Sequence, residues 1–517
     1  MRQCLNCGGG LKFDIPSQQL KCPNCSSLFP VGQIPEERAA KADGTMDAMI
    51  FSCPQCGGEV WSTSETAAGF CSFCGASVQL EGRMAAEKLP ERVVPFQITG
   101  KECGEKFRAH VRSYFFSPSD LSQENAKMEF RGIYMPYWDY TVHQEAHVNR
   151  EYRDEHRSGD YRIIRYYDFD WDLNEDIKSI QHDASSSFND DVGLAIAPFE
   201  PEKCVDFDSG YMEGFYGDVA DTKWEDYANF AINEATDQTE RAIRTKTQGS
   251  RSDHGPRGND EFQGHITQRW LSMFPVWFLS YRTGNRVAYS AVNGQTGKVH
   301  VDLPVAPAKF AGLTAAVTAL LFVLFLQLFT PSPQTDVGIA MIMSIAASVI
   351  FTVMTQRILE RDGLLEQKGN GDGEKAGNRA LKRGILWGCL GSIATVALAF
   401  VALVAALGMG LLLCLEGIAV ILALWSLIHY LRRNKLFVQA NGKGVFPSPL
   451  LAFAAALLGI AVIVWNPVSD FWYYSITALA MVAAGISLGS IIALRNMLST
   501  RRLPQFDTHK GGDHRAK

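Results

Sequence analysis

Eight of the twelve cysteines in this 517-residue chain are arranged in four Cys-x2-Cys pairs. Fourteen residues separate the first pair from the second, and the third pair from the fourth. The cysteines are Cys4, Cys7, Cys22, Cys25, Cys53, Cys56, Cys71 and Cys74. Two such pairs supply the four thiolates of a closed, tetrahedral zinc site, and a unit of about 30 residues needs the metal in order to fold. The spacing therefore predicts two zinc ribbons, at 1–34 and 48–82, with one Zn²⁺ each.

Disulfides and a thioredoxin-type redox pair are the alternatives for these cysteines. Disulfides need an oxidising compartment, and the first thirty residues lack the apolar segment of a secretory signal peptide. A redox site uses one Cys-x2-Cys on a βαβ unit rather than four in tandem. Structural zinc in the cytosol is therefore favoured. The other four cysteines are isolated, as expected for small buried apolar residues: Cys103, Cys204, Cys389 and Cys414.

The charge of the ribbons favours contact with proteins over contact with nucleic acid. Binding to nucleic acid requires Lys and Arg side chains against phosphates. Residues 51–82 contain three glutamates but no Lys or Arg, and the first ribbon contains three basic residues. The glutamates are Glu59, Glu65 and Glu81, and the basic residues are Arg2, Lys12 and Lys21. With a net charge of −6 for the whole chain, nucleic-acid binding is the less favoured prediction.

The region 93–305 is predicted to form a mixed α+β domain, preceded by a charged linker at 83–92. Thr99 and Glu102 have the spacing of a capping box, which predicts the start of a helix. A second helix is predicted to begin at Thr222, because a glutamate follows three residues later and an apolar face comes after it.

Strands are predicted in the same region from alternation and from turn residues. Aromatic residues alternate with Asp and Asn at 167–174, which indicates a strand with one solvent-exposed face. Two similar aromatic segments, 133–138 and 272–277, are each interrupted by a proline, which predicts an edge strand or a bulge. Residues 286–302 contain an Asn-Gly turn and are predicted to form a hairpin. A loop is predicted at 247–262.

Two patterns in this region could carry chemistry but lack the required spacing. His143, Glu145 and His147 are not in the HExxH order of zinc proteases, and their segment is predicted to be extended. The Asp-x-Asp-x-Asp run at 168–172 lacks the Gly and Glu of a calcium-binding EF-hand loop at the sixth and twelfth positions. Ordinary polar strands are favoured in both places, and the sequence predicts no enzymatic activity.

Residues 306–497 are predicted to form an all-α transmembrane bundle of about six helices. Crossing a bilayer takes about 20 apolar residues. The predicted spans are 309–329, 337–354, 385–406, 411–430, 449–465 and 472–494. The remaining residues, 498–517, are predicted to form a cytosolic tail.

The distribution of Lys and Arg predicts how these spans are oriented. The loop at 355–383, the loop after the fourth span and the start of the tail are rich in Lys and Arg. The loops at 330–336, 407–410 and 466–471 contain neither residue. Because positively charged loops stay in the cytoplasm, we expect a multi-pass protein of the inner (plasma) membrane with both termini cytoplasmic.

Glu416 is the clear carboxylate inside the predicted spans. A buried acid in a membrane is costly and suggests proton or cation handling. A hydrogen bond to a neighbouring helix explains a single acid equally simply, and we favour that structural explanation.

Several motifs resemble a known family. They are the runs Glu-Arg-Val-Val-Pro-Phe at 91–96, Tyr-Met-Pro-Tyr-Trp at 134–138, Phe-Pro-Val-Trp at 274–277 and Ala-Val-Asn-Gly-Gln-Thr-Gly-Lys-Val at 291–299. Together with the tandem ribbons, they resemble bacterial membrane proteins with TFIIB-type zinc ribbons, some of which are labelled primosomal or helicase-like. The resemblance covers roughly residues 1–305. It implies a membrane platform that recruits phage-shock (PspA-like) and flotillin-like (SPFH) proteins, whereas the absence of a Walker A motif argues against a helicase.

These observations favour a non-enzymatic, membrane-anchored adaptor that recruits cytosolic or membrane-associated proteins. A transporter or channel regulated by its cytosolic zinc ribbons, with Glu416 in its path, is the first alternative. A membrane-tethered nucleic-acid binder is the second.

Overall fold

The computed structural model describes most of the chain. The described residues are 2–34, 45–62, 71, 73–76, 81–122, 130–159, 161–185, 190–246, 261–283, 286–328, 332–361, 421–434, 437–438 and 448–502. Much of the predicted loop at 247–262, the predicted third span and Glu416 lie outside these ranges.

A three-stranded sheet, a twelve-stranded sheet and a set of long helices follow one another along the chain. The strands are β1 (Lys12–Asp14), β2 (Gln19–Lys21), β3 (Leu28–Phe29), β4 (Thr45–Ser52), β5 (Glu59–Ser62), β6 (Glu81–Lys88), β7 (Arg92–Val93), β8 (Arg131–Ser158), β9 (Tyr161–Asp183), β10 (Val205–Asp206), β11 (Tyr216–Asp218), β12 (Glu261–Thr283), β13 (Arg286–Asn293), β14 (Val299–Val301) and β15 (Arg501–Arg502). The helices are α1 (Gly100–Arg112), α2 (Asp190–Ile196), α3 (Ala228–Lys246), α4 (Pro307–Leu328), α5 (Pro333–Arg361), α6 (421–434), α7 (Ser448–Trp465) and α8 (Asp470–Leu498). The prediction of two cysteine clusters, a mixed α/β soluble region and apolar helices is confirmed.

The large sheet is built around the antiparallel pair β8–β12. Its strand order is β10-β7-β12-β8-β11-β5-β4-β6, with β9 added to β8 and with β13 added to β12. The two similar aromatic segments of the sequence pair directly with each other in this ladder, since Tyr137 lies opposite Ser272 and Met135 opposite Phe274. Apolar side chains on both faces of the pair are buried, so the core of the soluble region lies here.

The expectation that the proline-containing segments form edge strands or bulges is wrong, because both lie in the centre of the sheet. Pro136 falls between the part of β8 that pairs with β11 and the part that pairs with β9. Pro275 falls between the parts of β12 that pair with β7 and with β13. Each proline carbonyl accepts a hydrogen bond on that side, from Ala184 and Gly294 respectively. Each proline, which lacks a backbone N–H, therefore lies where one neighbouring strand ends and the next begins. No hydrogen bond of the ladder is lost at these positions.

The second ribbon is continuous with the large sheet. Strand β4 pairs with both β5 and β6, and β5 pairs with β11. The predicted charged linker at 83–92 is therefore wrong, because Glu81–Lys88 forms a strand whose eight residues all pair with β4. At the β5–β11 contact, the Trp61 ring covers Gly217, and a Cβ on this glycine would lie 2.3 Å from the ring.

Both predicted helices of the middle region are present, with modest changes at their ends. Thr99 caps α1, and the reciprocal bonds of the capping box with Glu102 are formed. The second helix begins with a 3₁₀ turn at Trp224–Tyr227, where the Asp226 carboxylate accepts a hydrogen bond from the Lys223 backbone N–H, and α3 follows this turn. Its start is thus later than Thr222.

Three described helices are long and apolar enough to cross a membrane, by length and composition: Pro333–Glu360, Ser448–Trp465 and Asp470–Leu498. They match the second, fifth and sixth predicted spans. Helix α4 coincides with the first predicted span, and α6 overlaps the end of the fourth. Helix α5 extends beyond the predicted 337–354, because polar and charged residues continue it at both ends.

The last helix returns to the soluble sheet. The Asn496 amide pairs with the backbone N–H and C=O of Val305, at 2.7 and 3.0 Å. Arg286 donates to the carbonyls of Met497 and Thr500 at the end of α8, and β15 pairs with β13. At the other end of the helices, Gln334 in the first turn of α5 donates to Asn466 in the loop after α7, at 2.8 Å. The start of α4 and the end of α8 therefore lie together.

We predict that Gly217→Ala destabilises the soluble region by about 1–3 kcal/mol, because the added methyl group forces Trp61 and β5 away from β11. Thermal unfolding of the detergent-solubilised protein measures the change. Gly312→Ala on α4 is the matched control, since nothing lies within 4 Å of its added Cβ. Equal unfolding midpoints for the two variants would contradict the tight β5–β11 contact.

Candidate metal centres

The four cysteines of the first ribbon converge on one point. The Sγ atoms of Cys4 and Cys25 are 3.5 Å apart, and those of Cys7 and Cys22 are 3.4 Å apart. All four sulfurs lie within 4.8 Å of one another. Four thiolates at about 2.3 Å from a tetrahedral metal would have S···S distances of about 3.8 Å. The cluster can hold a metal ion with small adjustments.

The second ribbon repeats this arrangement, and its S···S distances are closer to those of an ideal tetrahedral site. Cys53 and Cys74 are 3.8 Å apart, and Cys56 and Cys71 are 3.7 Å apart, between their Sγ atoms. All four sulfurs again lie within 4.8 Å of one another. The eight predicted ligands are thus brought together as two groups of four.

Each of the four Cys-x2-Cys pairs is held by the same turn. The backbone N–H four residues after the first cysteine donates to that cysteine's carbonyl, and the first cysteine's N–H donates to the carbonyl five residues on. The residue four positions after the first cysteine has a positive φ in every turn: Gly8, Ser26, Gly57 and Gly75. Glycine adopts this conformation without strain, which explains three of the four residue types. The turn, rather than the metal alone, orients the thiolates.

Burial distinguishes the two centres. In the first, Cys7 and Cys25 are exposed to solvent, whereas all four cysteines of the second are buried. Hydrogen bonds from the side chain and backbone of Ser27 lower the pKa of the Cys25 thiol, which favours its thiolate form. An ion in the first centre would therefore be within reach of solvent, and one in the second would not.

The first ribbon is fixed to the sheet through its own charged residues. Arg2 is buried, and its guanidinium lies 2.6 Å from Asp208 and donates to the carbonyl of Ile34. The backbone N–H of Arg2 donates to Glu213. One of the ribbon's three basic residues is thus used in packing and is removed from any surface that could meet phosphates.

Glu59, counted in the sequence as part of an acidic ribbon surface, is buried instead. It accepts a hydrogen bond from the Ser52 hydroxyl, at 2.7 Å, across the β4–β5 ladder. Its carboxylate is therefore a structural group of the second ribbon and does not contribute to surface charge.

Two of the isolated cysteines belong to the described residues, and neither has the properties of a nucleophile. Cys103 is fully buried in the core, and burial raises the pKa of its thiol. Burial likewise raises the pKa of Cys204 to about 11. Reactive thiols have lowered pKa values. The prediction of a small buried residue is confirmed for Cys103, whereas Cys204 is only half-buried.

The two weak motifs of the sequence meet at one pair of residues, His147 on β8 and Asp172 on β9. His143 Nδ1 lies 2.8 Å from Asp176, and His147 Nδ1 lies 2.8 Å from Asp172. These hydrogen bonds raise the pKa of both histidines. The segment is extended, as predicted. The aspartate partners were missed, although a hairpin turn at Gly159 would have placed these residues opposite one another.

Hydroxyl groups connect the helices of the membrane half. Ser426 of α6 bonds to Ser348 and Thr352 of α5, with oxygen–oxygen distances of 2.9 and 2.6 Å, and all three are buried. Such bonds hold neighbouring apolar helices together. This cluster has the packing role that the sequence suggested for Glu416, which lies outside the described residues.

We predict that a chelator removes metal from the first centre on the order of ten times faster than from the second, because ligand dissociation there is open to solvent. Absorbance of a metallochromic chelator gives the two rates. Cys25→Ser should abolish the fast phase, and Cys74→Ser the slow one. Metal release at one common rate from the parent protein would contradict the difference in burial.

Comparison with known proteins gives a relative without an assigned role. The uncharacterized protein YdjG of Bacillus subtilis (strain 168) is 26% identical over 317 residues, which are 60% of this chain and 91% of the relative. No family model matches the chain, and no solved structure matches it.

Proposed function

We propose that this protein is a non-enzymatic adaptor that recruits other proteins to a membrane through the long β8–β9 hairpin. The observation that carries the proposal is the projection of this hairpin from the sheet. Among the described residues, the pairing of β12 with β8 ends at His147, whereas β8 and β9 continue to pair up to Ser158 and Tyr161. At about 3.3 Å per residue, the last eleven residues of β8 extend roughly 35 Å.

The end of the hairpin has the composition of a binding surface. Tyr161 is 78% exposed and Tyr166 is 60% exposed, and Ile163 and Ile164 between them are also exposed. Exposed clusters of large apolar side chains are uncommon except at interaction sites. A two-stranded ribbon is only marginally stable in water. Among the described residues no third strand covers this end, so a bound partner would stabilise it.

The hairpin end is mixed in charge, since Arg157 lies opposite Arg162 and Arg165 lies opposite Asp154. Its exposed apolar side chains, rather than a net charge, therefore supply the proposed contact with a partner. Phage-shock and flotillin-like (SPFH) proteins are the partners that the family resemblance implies.

We further propose that the apolar helices form a six-span membrane anchor with both termini cytoplasmic. The contact between Val305 and Asn496 supports an even number of crossings, since the start of α4 and the end of α8 lie together. The contact between Gln334 and Asn466 supports placing two of the connections that lack Lys and Arg on the same side of the membrane, opposite the termini. This arrangement agrees with the distribution of positive charge.

Zinc is the proposed metal in both centres, in a structural role. Four thiolates with no open position favour Zn²⁺ over catalytic arrangements, which keep a ligand site free. Elemental analysis of the purified full-length protein should give two zinc ions per chain.

We predict that a cysteine introduced at Ser332 is labelled from outside intact cells, and that one introduced at Gly371 is not. Both are introduced into a chain whose other accessible cysteines have been replaced. The reason is that Ser332 lies in a loop without Lys or Arg, whereas Gly371 belongs to the sequence segment 355–383, which is rich in Lys and Arg. A membrane-impermeant maleimide makes the measurement. Labelling at Gly371 alone would reverse the orientation, and labelling at both positions would contradict the span count.

We predict that the triple variant Tyr161→Ser, Ile163→Ser, Tyr166→Ser loses its partners while remaining folded and inserted, because these side chains are exposed in the free protein. Affinity purification from native membranes, followed by quantitative mass spectrometry, compares the co-purifying proteins. Lys178→Ser, on the same strand near its base, is the matched control. Retention of the same partners by the triple variant would rule out the hairpin end as the recruiting surface.

A further inference from the structure

A short aromatic segment of the soluble region lies against the first turn of α4. It consists of Tyr114, Phe115 and Phe116, directly after α1. The Phe116 carbonyl accepts from the N–H of Ala306, and its ring lies 5.6 Å from that of Phe310. Lys309 donates to the carbonyl of Ser117, at 2.8 Å. The segment is thus fixed at the level where the apolar helices begin.

That level is defined independently by the last helix. Asn496, near the end of α8, pairs with Val305, two residues before α4 starts. Helix α4 is exposed on most sides, and its large exposed side chains Leu313, Val317 and Leu320 form one apolar stripe along the helix. This stripe begins only three residues after Phe310, or about 4.5 Å along the helix axis.

Two of the three aromatic side chains are turned to the outside. Phe115 is 67% exposed and Tyr114 is 52% exposed. In water, two large aromatic rings on a loop would be costly to leave uncovered. At the boundary of a bilayer such rings are favoured, and Lys and Arg beside them reach the phosphates. Arg112 and Lys309 flank the segment and are exposed.

We infer that Tyr114 and Phe115 insert into the phospholipid headgroup layer, so that the soluble region binds lipid as well as being tethered by its helices. The inference rests on the proposed membrane crossing of α4. Phospholipid is the expected contact of the two rings because they lie next to the exposed apolar stripe of α4. The rings would limit the tilt of the sheet relative to the membrane, since they add a third contact beside the start of α4 and the end of α8.

Photo-crosslinking tests this inference in the full-length protein, reconstituted into nanodiscs of phosphatidylcholine and phosphatidylglycerol. p-Benzoylphenylalanine replaces Phe115 in one variant and Leu313 in another. It replaces Tyr166 in a third, because that residue has similar exposure (60%) but lies at the projecting end of the hairpin. After irradiation, mass spectrometry detects peptides that carry phospholipid.

We expect lipid adducts at positions 115 and 313, with a yield at position 166 on the order of ten times lower. An adduct at 313 without one at 115 overturns the inference while leaving the membrane anchor intact. Cross-links from 115 to protein instead of lipid would identify a protein interface and overturn it as well. Absence of adducts at both 115 and 313 would contradict the membrane crossing of α4, and the inference with it.

Discussion

The antiparallel pairing of β8 with β12 is the interaction on which the other contacts of the soluble region depend. The second ribbon reaches this pair through β11, and the end of the last helix reaches it through β13. More than a hundred residues separate the two strands in sequence, so their pairing must overcome a large loop-closure entropy. The burial of aromatic side chains such as Tyr134, Tyr137 and Phe274 supplies the opposing free energy. The two similar aromatic segments of the sequence are therefore paired strands that contribute side chains to the same core.

Metal binding and sheet formation are coupled in the second ribbon and largely separate in the first. Strand β5, which lies between Cys53 and Cys71, pairs with β11 of the large sheet, and Tyr289 of β13 donates to the Phe73 carbonyl beside the second centre. Closing that tetrathiolate would therefore also hold β5 against β11. The first ribbon has its own sheet and contacts the rest through side chains and single hydrogen bonds, such as those of Arg2 with Asp208, Phe13 with Glu213 and Gln18 with Phe96. This difference in attachment explains why one centre is buried and the other is partly open.

Local signals predicted local structure well. The cysteine spacing, the Thr99 capping box and the hairpin at Asn293 are each determined by neighbouring residues, and all three are present. Contacts between residues far apart in the sequence could not be predicted from neighbouring residues. Proline suggested an edge strand because a central position normally needs every N–H, and only the full strand order reveals the gap beside Pro136. Glu59 looked like a surface acid because its bond to Ser52 forms only when β4 and β5 pair.

The two proposed binding surfaces lie at opposite ends of the central pair. Strand β15 joins the sheet beside Arg286, which is opposite Thr283 at the C-terminal end of β12. The 23 residues of β12 lead away from this point, and the hairpin continues beyond them. At about 3.3 Å per residue, a straight path from β15 to the end of the hairpin would measure roughly 100 Å. Aromatic residues at the membrane end therefore cannot serve the same partner as Tyr161 and Tyr166, and a rigid sheet between them would set how far from the bilayer a recruited protein is held.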